Sequence, residues 1–230
     1  MMRRAGIAAL LLTVGLGSVS GALFLAAFQF RLEWFADPAP LVAGGPVSAE
    51  LLRWAAITDL FSYYLPTTVV AYMLWTALRP RGRALADLSM LAALGYVIAG
   101  GASASALALV GPMLMYEHAR PGADQPAVAI AFAVLAKVVF SAIWQLLDAY
   151  LLAFWWLGTG LLLRADQPRL AGLTLALAAS AATGTVFTVF DLGVLRDAAL
   201  GLFFALWMAW MVWLLVALWR SQPPFAMLPD

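Results

Sequence analysis

Long apolar blocks alternate along this chain with short clusters of charge and turn residues. A helix that crosses a bilayer needs about 20 largely apolar residues, and charged clusters mark where the chain leaves the hydrocarbon. Read by those breaks, the pattern predicts six spans, at about 6–30, 54–78, 85–110, 126–163, 170–190 and 198–219. The first stops at Arg31, the second at Arg79-Pro80-Arg81-Gly82-Arg83, and Gly111-Pro112 is expected to end the third. The fourth block is too long for one perpendicular crossing, since 38 residues make about 57 Å of helix against a hydrocarbon thickness of roughly 30 Å. No Gly, Pro or Asn lies between Ala127 and Leu157 to turn the chain, so the expectation is one over-long helix that projects past or tilts along the outer leaflet.

Composition agrees with the pattern. The chain is 65% hydrophobic and 11% charged, with a mean hydropathy of +0.93. Soluble domains are about 45–50% apolar and about 25% charged, so a water-soluble fold is excluded. Lys and Arg number 13 against 12 Asp and Glu, without a basic face for nucleic acid. There is no cysteine, hence no disulfide or thiolate chemistry, and His118 is the single histidine, which excludes a multi-histidine metal site. No cofactor is expected.

Cytoplasmic loops are enriched in Lys and Arg. With six spans, Arg3 and Arg4, then Arg79, Arg81 and Arg83, then Arg164 and Arg169, then Arg220 fall on one side. The other connections carry Glu33, Asp37 and Glu50; Glu117, His118, Arg120 and Asp124; and Asp191, Arg196 and Asp197, and are neutral or acidic. The reading is therefore an all-α integral membrane protein. It is a six-transmembrane-helix bundle in a single polytopic domain spanning 1–230, with both termini cytoplasmic. Met1-Met2-Arg3-Arg4 and Ser18-Val19-Ser20 have the character of a signal peptide and its cleavage site, but the apolar run continues about ten residues beyond Ser20. An uncleaved first span is expected.

Depth along each helix locates the candidate chemistry. At 1.5 Å per residue, Asp59 lies about 30 Å from Arg79, Asp191 about 33 Å from Arg169, Asp148 about 24 Å and Lys137 about 40 Å from Arg164. All four fall in the outer half or at the outer boundary. Charges inside a bilayer are costly and usually face a bundle interior or a wet cavity. The expectation is a polar, outward-opening cavity lined by the second, fourth and fifth spans. In the fourth, Lys137, Ser141, Gln145 and Asp148 follow i, i+4, i+8, i+11, one face of an α-helix. In the second, Tyr63, Thr67 and Tyr72 add hydroxyls, and Pro66 frees a carbonyl near Ser62. The candidate ligand-binding residues are Asp59, Tyr63, Lys137, Ser141, Gln145, Asp148 and Asp191. Against this stand ordinary roles: Lys137 snorkelling to the headgroups, and Asp59 and Asp191 at interfacial helix ends. Phe203, Trp207 and Trp210, at i, i+4, i+7, read first as bundle packing. Gly95, Gly100, Gly101, Ser103 and Ser105 read as a face for close helix approach.

Several stretches resemble the bacterial multi-pass membrane family catalogued as domain of unknown function 4386. They are Arg4-Ala5-Gly6 with the Leu-rich run after it, Leu52-Arg53 through Asp59-Leu60, Leu78-Arg79-Pro80, Gly158 to Arg164, Pro168-Arg169-Leu170-Ala171-Gly172, and Phe204-Ala205-Leu206-Trp207. The resemblance implies a multi-pass topology in a bacterial cytoplasmic (inner) membrane and supplies no catalytic residue.

Three functional classes remain. The first binds or transports a small molecule or ion through the outer cavity. The second is an accessory, assembly or signal-relay subunit that works by helix packing, with a second copy or other membrane subunits as partners beside the bilayer itself. The third is a membrane enzyme on a lipid or isoprenoid using Asp148 and Asp59 as acid and base. Chemistry that needs histidine boxes, thiols or an Asp-rich diphosphate motif is excluded.

Overall fold

The computed structural model describes residues 1–35 and 37–228, and among these it contains helices and turns but no strand. Helix α1 spans Met2–Ala27, and two short 3-10 turns, Leu32–Phe35 and Ala39–Gly44, lead into α2, Gly45–Asp59. Without a break, α2 passes through a π-helical turn, Leu60–Tyr64, into α3, Leu65–Leu78. Helix α4 covers Arg83–Ala119, and α5, Gln125–Ala136, runs through a π-helical segment, Lys137–Asp148, into α6, Ala149–Leu163. Helices α7, Pro168–Val189, and α8, Gly193–Trp219, complete the bundle.

Among the described residues five helices are long and apolar enough to cross a membrane: Met2–Ala27, Arg83–Ala119, Gln125–Leu163, Pro168–Val189 and Gly193–Trp219. The rod formed by α2 and α3, which carries Asp59 and Pro66 near its middle, is not among the five. The over-long fourth block is thus a continuous helix, but its middle is π-helical rather than α-helical.

Local chemistry accounts for the helix ends. Proline occupies the first turn of α2, α5 and α7, where its missing N–H costs no hydrogen bond. Asp124 Oδ1 caps α5 by accepting from the Ala127 N–H at 3.2 Å. Helix α1 stops at Ala27, short of the expected boundary, because Gln29 and Phe30 turn into the left-handed region, at φ 54° and 60°. At Gly111-Pro112 the expected stop does not occur, and α4 continues through it to Ala119. Proline removes one backbone bond there, but packing against neighbouring helices retains the rod. Pro112 is buried, and a Cβ on Gly111 would lie 3.1 Å from Leu52 of α2.

Helix α4 shows how the bundle sorts its side chains. Ala92, Ala93, Gly100, Ala104 and Ala108 face inward, whereas Leu91, Ile98 and Leu109 point outward, Ile98 with 70% of its surface exposed. Small residues inside and large apolar residues outside let helices approach closely while presenting hydrocarbon to lipid. One buried cluster joins α3, the first half of α4, α6, α7 and α8 around Trp155, Trp156 and Trp210. A second joins the end of α1, α2, the last half of α4 and α5 around Phe24, Phe28, Phe132 and Phe140.

Arginine-bearing connections gather at one end of the bundle. Arg3 donates to Ser221 Oγ, Arg81 pairs with Asp166, and Gln167 Nε2 donates to the Pro223 carbonyl at 2.8 Å. There too Arg79 meets Asp87 at 3.0 Å and lies 4.9 Å from the Trp75 ring centre. Near the other end the ties are Tyr116 to Glu50 at 2.6 Å and Arg120 to Glu117 at 2.6 Å.

Candidate functional site

Between the two clusters the helices part around a cavity of about 510 Å³. The end of α1 supplies Ser20 and Phe24, the α2 junction Asp59, Tyr63 and Tyr64, and α4 Tyr96. Phe140, Trp144, Gln145 and Asp148 come from the second π-helical segment. Ser180, Ala181, Gly184 and Thr188 of α7, with Arg196, Ala199, Phe203 and Trp207 of α8, close it.

Both carboxylates sit where α-helix and π-helix meet. Asp59 is the last residue of α2, immediately before the π turn, and Asp148 is the last residue of the second π segment. In a π-helix the backbone bonds run i to i+5, so each junction re-aims the side chains that follow it. At the first junction the Leu65 N–H bonds to the Leu60 carbonyl, and Pro66 follows directly.

Asp148 is 3% exposed, and Oδ2 lies 3.5 Å from the Tyr64 hydroxyl, the donor. Oδ1 has no hydrogen-bond partner among the described residues. A buried carboxylate oxygen without a donor is costly. The Tyr64 ring leans on Tyr96 with centres 5.0 Å apart. Gly100 makes the arrangement possible: a Cβ there would overlap the Tyr64 ring and press on Asp148 Oδ2. Gly17 does the same for Tyr63, whose hydroxyl and Cζ would lie 2.8 Å from an added Cβ.

Aromatic rings make most of the remaining wall. Tyr63 and Trp207 have centres 4.9 Å apart, and Phe203 lies 5.5 Å from Trp207. In a second group, Phe140 and Trp144 are 4.8 Å apart and Phe24 is 6.0 Å from Trp144. Serine hydroxyls at the wall are already committed, Ser20 to the Ala55 carbonyl at 3.1 Å and Ser180 to the Leu177 carbonyl at 2.9 Å. Among the described residues Arg196 is the one cationic side chain in the lining, and its Nε donates to Asp197 Oδ1 at 3.0 Å.

Of the residues expected at the site, Asp59, Tyr63, Gln145 and Asp148 line this cavity, whereas Lys137, Ser141 and Asp191 do not. The physical reason in the fourth block is helical pitch. Steps of four residues follow one face of an α-helix but fall short of a turn in a π-helix. Through the π segment the lining falls at Phe140, then Trp144 and Gln145, then Asp148 and Ala149, an advance of between four and five residues per turn, and Lys137 is left exposed on the outside. Asp191 sits in the exposed turn between α7 and α8 with φ 53°. The lining also draws on α1, α4 and α8, beyond the three spans expected. Tyr64, Tyr96 and Arg196 were not signalled by spacing. Trp144 was not signalled by spacing either, although its neighbour Gln145 and Asp148 were. Trp207 and Phe203 line the cavity, while Trp210 packs away from it and donates to Thr174 Oγ1 at 2.9 Å.

No protein-family model, curated protein or solved structure matches this chain.

Proposed function

We propose that this chain is a six-span protein of a bacterial inner membrane, with both termini cytoplasmic, that binds or transports a small molecule through an outward-facing cavity. The α2–α3 rod supplies the sixth span. Its Asp59 is tolerable in a bilayer because it faces the cavity and not lipid. Orientation rests on the positive-inside rule applied to the end where Arg3, Arg79, Arg81 and the loop after α6 meet. The cavity lies toward the other end, between the end of α1 and the start of α8.

One observation carries the reading: the buried Asp148, its Oδ1 unpartnered, in an apolar chamber of the size drug-like ligands occupy, roughly 300–1,000 Å³. The small-residue face of α4, which an accessory subunit would offer to partners, is spent inside the chain. Gly95 meets Leu151, Gly100 meets Tyr64, and Gly101 meets Leu60. The chain's lack of cysteine makes the test direct. Gly184 has room for a side chain, its nearest neighbour for an added Cβ being Ala199 at 3.7 Å. In intact cells a membrane-impermeant maleimide is expected to label Gly184→Cys and to leave Ile98→Cys, on the lipid face of α4, unlabelled. Absence of labelling at Gly184→Cys in folded protein would overturn the outward cavity.

A further inference from the structure

Resting on that binding reading, we infer that the ligand is a hydrophobic organic cation, an amine or onium group carrying aromatic or alkyl substituents. Charge comes first. The lining holds two carboxylates, Asp59 and Asp148, against Arg196, whose Nε is engaged with Asp197. Asp148 lines the chamber with a side chain more than nine-tenths buried, and its Oδ1 has no donor among the described residues. The Ser20 and Ser180 hydroxyls already donate to backbone carbonyls, and the Trp144 indole N–H, without an acceptor among the described residues, is a neutral donor that adds no positive charge.

The walls then set the rest of the ligand's chemistry. Tyr63 with Trp207 and Phe140 with Trp144 present ring groups to the chamber, and ring faces attract cations by their quadrupoles. A bare metal ion needs several oxygen or nitrogen ligands converging at one point. Among the described residues no group of three or more His, Cys, Asp or Glu converges so. A chamber of about 510 Å³ suits an organic molecule, with its charge at the carboxylates and its apolar groups against the rings.

Tetraphenylphosphonium and tetraphenylborate share one shape and carry opposite charge, which makes them the probes. Purified Gly184→Cys protein in detergent is treated with maleimide in the presence of each. Tetraphenylphosphonium is expected to protect the thiol at a concentration at least tenfold below that needed with tetraphenylborate. Asp148→Asn, combined with Gly184→Cys, is expected to raise the protective concentration of the cation at least tenfold. Equal protection by the two ions, or a cation response that neither Asp148→Asn nor Asp59→Asn changes, would overturn the inference. If Asp148→Asn does not fold, the cation-against-anion comparison on the unaltered acids decides alone. A thiol that is labelled but that the cation never protects rejects the ligand class and leaves the cavity standing, whereas an unlabelled thiol rejects the cavity itself.

Discussion

Helices α6, α7 and α8 change character along their length. Near the arginine-bearing end they interlock: Trp156 is fully buried, stacked on Trp155 at 5.7 Å and met edge-on by Trp207 and Trp210, each at 6.1 Å. Further along, the same helices separate, and Phe203, Ala181, Gly184 and Ala199 face open space. Both regions are built from aromatic and small residues. The difference lies in how rings are used, filling in one and walling in the other, and in the presence of Asp59 and Asp148 only in the second. Close packing is what a bundle reaches when only dispersion and small-residue contacts act, and a chamber kept open beside buried carboxylates is what the proposed binding function requires.

Variants can break that contrast. The largest effect is expected from Trp156→Ala in the solid region, where loss of a fully buried ring costs about 3–5 kcal/mol, read as a fall in unfolding midpoint in detergent. Next, one substitution made at two glycines separates the regions. Gly100→Ala forces a Cβ into Tyr64 and Asp148 and is expected to destabilise by about 1–3 kcal/mol. Gly184→Ala meets only Ala199 at 3.7 Å and is expected to stabilise by up to about 1 kcal/mol through helix propensity. The same unfolding measurement compares the two, and equal signs would contradict the account. The smallest effect belongs to Lys137→Ala and Asp191→Asn, which lie outside the chamber and are expected to shift stability by less than about 0.5 kcal/mol and to leave tetraphenylphosphonium binding unchanged.

Charge breaks and apolar length made most of the helices legible, because a charged residue on a lipid face is expensive wherever it occurs. Asp59 and Asp148 stood out for the same reason. What escaped was geometry that depends on neighbours. Nothing between Lys137 and Asp148 announces a π-helix, so a 3.6-residue repeat placed Lys137 and Ser141 on the face that Trp144 and Gln145 share. Pro112 read as a terminus, yet the packed surroundings of α4 keep the helix intact beyond it. The contribution of Arg196 and of the α1 end arises from how distant helices meet, which local spacing does not encode.

A cysteine ladder along α7 tests the central contrast most directly. Single replacements at Thr174, Leu177, Ala178, Ala181, Gly184 and Thr188 are exposed in intact cells to an impermeant maleimide. Labelling is predicted to be absent at 174, 177 and 178, which face the solid region, and to appear at 184 and 188, which line the chamber. A flat profile, or one that rises toward residue 174, would contradict an outward chamber above a solid base.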